Sequence, residues 1–326
     1  MRIKVLSRPV LALCASAVVA IAVPALGANA SPSGNGTGVV HPSATKASGH
    51  GSHGGSNLIY HGGVGGVGVE TGADRVYLVY WGSQWTNNDP SGEAAIQQSF
   101  FSNVGGSSWN NSVTQYCEGV ASGSGTSACT NGGTTAATNP SGVLINVWYD
   151  NASAAPSQPT QSQLAAEAIK AAGQFGNKTA ASNTTAQYVI STATRNNASG
   201  FGTQYCAWHS STSSTYGNVA YTNMPYITDA GASCGASFNG LGPNAGITIV
   251  GGHEFAETET DIFPNGGWLD GRGAENGDKC AWIGSGQGAS ANVQMGTAIG
   301  SPSFPVQSLW SNAFNSGSGG CVLSYP

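Results

Sequence analysis

Apolar residues fall in short runs along this chain, separated by longer stretches of Gly, Ser, Thr and Asn. Arg75 to Trp81, RVYLVYW, is nearly all β-branched, aromatic or leucine, the pattern of a strand buried in the middle of a sheet. Val143 to Tyr149, VLINVWY, predicts a second buried strand, Tyr188 to Thr192 a third, and Val219 to Tyr226 a further one. Between them the spacing becomes helical. Ala94, Ile96, Phe100, Phe101 and Val104 fall on one helical face after an Asp89-Pro90-Ser91-Gly92 turn. Thr160 to Gln163 opens a second helix that runs through LAAEAIKAAGQF to Phe175. Strand, helix, strand, helix, strand is an α/β order. The expected fold is therefore α/β, with a single mixed sheet flanked by helices. Cys280 to Pro326 is Gly/Ser rich with isolated aromatics and predicts an irregular, disulfide-rich C-terminal part.

The ends of the chain read differently from its middle. Arg2, Lys4 and Arg8 precede an apolar run from Val10 to Leu26, and Ala28-Asn29-Ala30 is a small-x-small cleavage site. Residues 1–30 are thus expected to be a secretory signal, with Ser31 the first residue after it. Residues 31–57, rich in Ser and Gly with His41, His50 and His53, lack apolar residues for a core and predict a disordered leader. Residues 58–326 form the expected single domain. No second apolar run is long enough to span a bilayer. Beyond Cys14, six cysteines remain, an even number that implies three disulfides in an exported chain. Short loop closure favours the sequential pairing Cys117–Cys129, Cys206–Cys234 and Cys280–Cys321.

Only 8% of the residues are charged and the net charge is −5, with no basic patch, which excludes nucleic acid as a partner. Few ionised carboxylates also leave little native-state charge to lose in acid. Against that background, seven of the 15 acidic residues crowd between Glu254 and Asp278. GGHEFAETETD, Gly251 to Asp261, follows an apolar stretch at Ile247 to Val250 and is stopped by Pro264-Asn265-Gly266-Gly267. In a helix, His253, Glu257 and Asp261 share one face, and Glu254 lies about 100° round from His253. The pattern is that of the His-Glu-x-x-His zinc helix with Glu257 in place of the second histidine. His253 and Glu257 are candidate zinc ligands and Glu254 the candidate general base. A short H-E-x-x-E string also suits a plain acidic helix face.

Two separated stretches carry a family resemblance. LIYHGGVGGVGVETGADRVYLVYWGSQW, Leu58 to Trp85, resembles the entry segment of the phosphate-induced, EXORDIUM-like secreted proteins. CAWH at Cys206, MPY at Met224, HEFAETETD and GWLDGRGAENGDKCAW resemble bacterial members with a His-Glu-x-x-Glu helix. The resemblance implies secretion and, for the bacterial branch, a metal-dependent hydrolase or peptidase acting on an extracellular protein or peptide. Ile262-Phe263-Pro264 departs from the Asp-Pro junction of many relatives at the helix exit.

A catalytic zinc needs about three protein ligands. Asp278, next to Cys280, is the first candidate for the third and Asp261 the second, although Asp261 lies about 12 Å along the helix from His253. His209 and Tyr226, in the family-like segments, are candidate oxyanion donors. His61 is expected to be packed, with a fourth metal ligand as the alternative, and Glu259 and Glu275 to face solvent or hold Arg272 or Lys279. Two rival readings remain: a noncatalytic binding or signalling protein with structural calcium, and a glycoside hydrolase using two carboxylates.

Overall fold

In the computed structural model, residues 56–125, 129, 133–296 and 300–325 are described. The signal segment and residues 31–55 of the leader lie outside them.

The main sheet has five strands. They are β1 (Arg75–Trp81), β2 (Leu144–Asp150), β3 (Ala186–Thr192), β4 (Trp208–Ser214) and β5 (Gly217–Met224), in the spatial order β2-β1-β3-β5-β4. The first four in that order are parallel, and β4 runs antiparallel to β5. The sheet is mixed and flanked by helices, as the element order predicts. Helix α1 (Glu93–Asn103) joins β1 to β2, and α2 (Gln161–Gln174) joins β2 to β3. These two crossovers step in opposite directions along the sheet. Right-handed connections must then put their helices on opposite faces.

Strand β1 shows both faces in its alternation. Val76, Leu78 and Tyr80 join Phe100 and Phe101 of α1 in one core. Tyr77 and Val79 join Leu164, Ala168 and Ala171 of α2 in the other. Thr160 caps α2, its hydroxyl accepting from the Gln163 N–H while the Gln163 side chain accepts from the Thr160 N–H at 2.9 Å.

Two strands depart from expectation. Strand β2 is an edge rather than a buried strand, with Ile145 49% and Tyr149 44% exposed. Its apolar run covers a sheet margin, where only one side is filled. Strand β4, WHSSTSS, carries no apolar alternation and escapes a pattern search, yet it pairs with β5 over its whole length. Backbone pairing to an established neighbour, not side-chain burial, makes it a strand.

Helix α3 (Ala245–Thr260) follows the sheet, and every one of its residues is buried. It packs on α1 through Gly252, where a Cβ would lie 3.1 Å from the Phe100 ring and 3.2 Å from Trp109. The helix ends before Pro264. Asp261 terminates it, its carboxylate accepting the backbone N–H groups of Asn265 (2.7 Å), Gly266 (3.0 Å) and Gly267 (2.5 Å). Trp268–Leu269 pairs with Ile59–Tyr60 as a two-stranded ribbon.

Among the described residues, three further ribbons and short turns make the irregular flank. The three disulfides join Cys117 to Cys129, Cys206 to Cys234 and Cys280 to Cys321. Among the described residues no helix is long and apolar enough to cross a membrane.

Several carboxyl groups are buried away from α3's histidine. Glu93, the first residue of α1, accepts from the Ile227 N–H (3.0 Å) and the Gln97 amide (3.3 Å), and burial pushes its pKa up to about 8. Glu70 and Glu259 are held well above the usual range by burial and by Asp74, which burial itself raises to about 6. A carboxyl with a raised folded pKa stabilises the fold while protonated in both states. That contribution is lost as pH rises from the unfolded value of 4.5 through about 8 for Glu93. Denaturant-derived stability should therefore fall across that window, and Glu93→Gln should flatten the decline by on the order of 5 kcal/mol. An unchanged pH profile in that variant would remove Glu93 from the account.

Candidate metal centre

The centre is built on one face of α3. His253 and Glu257 are four residues apart, and His253 Nε2 lies 2.9 Å from Glu257 Oε1. Both are fully buried, and Glu254 beside them is 1% exposed. A turn from Glu275 to Cys280 closes over this face. The Asp278 N–H donates to Glu257 Oε1 at 2.9 Å, and Asp278 Oδ1 lies 3.7 Å from His253 Nε2. Two restraints hold the turn. Cys280 is bonded to Cys321, and the Gln307 amide donates to the Gly277 carbonyl at 2.8 Å.

Gln307 also sets the orientation of His253. Its NH₂ donates to the carbonyls of Gly277 and Ser308, which leaves Oε1 to accept from His253 Nδ1 at 3.1 Å. Nδ1 thus carries a proton, and Nε2 faces the carboxylates. This is the arrangement of an outer partner that orients a ligating imidazole.

His209 enters from the other side, on β4 opposite Thr222. Its Nε2 lies 3.0 Å from Glu275 Oε2 and 3.7 Å from Glu257 Oε2. Two groups of possible ligand atoms result, each with all atoms within 4.8 Å of one another: His253, Glu257 and Asp278, and His209, Glu254 and Glu257.

The electrostatics of the two imidazoles differ. Burial lowers His209 to about 4, despite Glu257 nearby, so this ring is neutral. Burial also opposes charge on His253, but Glu257, Glu254 and Asp278 outweigh it and raise the ring to about 10. Burial and the Glu257 charge push Glu275 and Asp278 well above the carboxylate range. Glu257 Oε2 and Glu275 Oε1 are buried without a hydrogen-bond donor. Such groups are costly unless a cation or proton compensates them.

The expected site residues divide accordingly. His253, Glu254, Glu257, Asp278 and His209 converge. Asp261 does not, because its carboxylate is occupied by three backbone amides of the helix exit. Tyr226 is also elsewhere: its hydroxyl donates to Asp89 at 2.7 Å and accepts from the Ser91 N–H, so it is not the oxyanion donor expected of it. His209 directs Nε2 at carboxylates, the position of a ligand more than of an oxyanion donor.

His61, expected to be packed, is exposed. Glu259 and Glu275, expected to face solvent or to hold Arg272 or Lys279, are fully buried, and Lys279 pairs instead with Asp270 at 3.1 Å. Glu275 and Gln307 join the site unannounced. The local crowding of acids pointed toward Glu275, but nothing in the spacing marked Gln307.

Comparison of the chain with protein-family models, curated proteins and solved structures finds no match.

Gly277 is where the turn touches the helix. A Cβ there would lie 2.8 Å from His253 Nδ1 and 3.0 Å from Glu257 Oε1. Gly277→Ala should lower affinity for added zinc roughly 10–100-fold, the scale of outer-partner changes, with far-UV circular dichroism unchanged. Gly271→Ala, which meets nothing within 4 Å, is the silent control. Equal zinc affinity in the two variants would show that the turn does not shape the centre.

Proposed function

We propose that this chain is a secreted metal-dependent hydrolase, a zinc peptidase acting on extracellular protein or peptide, with its centre on α3. One observation carries the reading: His253, Glu257 and Asp278 converge in a buried place where, among the described residues, the ion pairs of Glu257 and Asp278 run to histidines rather than to lysine or arginine. Three protein ligands from a nitrogen and two carboxylates suit a catalytic zinc with an open position. Imidazole in the donor set favours zinc over calcium, which takes oxygen ligands.

A zinc ion in this place supplies Lewis acidity, polarising a carbonyl and acidifying water. The rest is done by the chain. Gln307 holds His253 with Nε2 presented to the centre. The Asp278 N–H fixes Glu257 Oε1. Glu254, next to both on the helix, is placed to take a proton from water and return it to a leaving amine. Asp278, its side chain 13% exposed, is the member of the group in touch with solvent. Export is supported by the N-terminal pattern of residues 1–30, and three disulfides are compatible with it.

Glu254→Gln should reduce casein hydrolysis by about 10²–10⁴-fold while the ion held by His253 remains bound, and His253→Ala should lose that ion and the activity. Elemental analysis distinguishes zinc from calcium in the same samples. Parent-level hydrolysis by Glu254→Gln would exclude it as the base, and full zinc content in His253→Ala would exclude the ligand set.

A further inference from the structure

The two groups of candidate ligands share Glu257 and no other residue. Its two oxygens face different rings: Oε1 lies 2.9 Å from His253 Nε2, and Oε2 lies 3.7 Å from His209 Nε2. We propose that Glu257 is a bridging carboxylate between two divalent transition-metal ions, the second held by His209 and Glu254 with Glu275 beside them. This rests on the hydrolase reading for its first ion and adds a position that the His-Glu-x-x-Glu helix alone does not imply.

Three features support the second position. Glu257 Oε2 is fully buried and lacks a hydrogen-bond donor, although its sister oxygen has one in the Asp278 N–H. A carboxylate oriented by one oxygen alone leaves the other available as a ligand. His209 comes from a different element, the edge strand β4, and Glu275 Oε2 approaches the same nitrogen at 3.0 Å. The imidazole and the carboxylates therefore converge from β4, α3 and the Glu275–Cys280 turn. Borderline-soft dications take this mixture of nitrogen and oxygen donors.

Paired ions clamped by a shared carboxylate typically stand about 3.5–4 Å apart. With the second position filled, Glu254 is a ligand; with it empty, Glu254 is available as the base.

The test uses the full chain, dialysed free of metal and titrated with Zn(II), and in parallel with Mn(II) for electron paramagnetic resonance. The His41, His50 and His53 segment can take up metal by itself, so each variant is scored by its difference from the parent. The expected result is one equivalent fewer tight ions in His209→Ala than in the parent, with a spin-coupled Mn(II) pair signal in the parent that the variant replaces by an isolated-ion signal. His209→Gln repeats the measurement should the alanine variant unfold, and the parent's Mn(II) spectrum needs no variant.

Equal stoichiometry in parent and His209→Ala, with one equivalent lost only in His253→Ala, overturns the second position and leaves the hydrolase site standing. An uncoupled Mn(II) spectrum in the parent at saturation does the same. No difference between the parent and either histidine variant overturns both readings.

Discussion

Everything in this structure is arranged around the difficulty of keeping carboxylates out of water. Helix α3 is buried along its entire length yet carries His253, Glu254, Glu257 and Glu259. A buried helix is ordinarily apolar all round. Isolated buried charges are strongly unfavourable, so each of these groups must have a compensating partner or hold a proton. Toward the Glu275–Cys280 turn and β4, compensation comes from two imidazoles and, in the reading above, from metal ions.

Glu259 sits two residues past Glu257, roughly 200° round the helix, and so faces the other way. There its carboxylate accepts from Asn110 at 2.9 Å and meets Asp74 and Glu70, while Glu70 accepts from Gln187 at 3.2 Å. This second set contains no histidine and is not among the groups spaced for a metal. Shared protons and amide donors serve it instead, and burial, which the amide donors only partly offset, makes its members titrate high. One helix thus carries two solutions to the same problem, separated by which residues the neighbouring segments bring up to it.

The irregular flank is what makes those neighbours dependable. The turn over His253 is one short helical turn, and it is held in place by the Cys280–Cys321 bond, by Gln307 and by the absence of a side chain at Gly277. Strand β4 is poor in apolar contacts and owes its position to pairing with β5. A site assembled from such pieces depends on long-range contacts, between residues as far apart as His209 and Glu275 or His253 and Gln307.

Much of this was readable along the chain. The apolar runs located β1 and β3, the helical spacing located α1 and α2, and loop length selected the disulfide pairs, because each of these depends on local pattern or on short closure. The His253, Glu254 and Glu257 trio was legible for the same reason, since helical spacing alone puts them together. Asp278 was reachable through its nearness to Cys280. Burial and direction were not legible. Whether Asp261 binds an ion or caps a helix depends on how the chain turns after Thr260, and whether Tyr226 faces the centre depends on Asp89, more than a hundred residues away. His209 on a serine-rich strand, Glu275 in a glycine-flanked turn and Gln307 in the tail have no shared periodicity. Only the folded chain brings them to one helix face, because what joins them is distance through space, which no spacing along the sequence encodes.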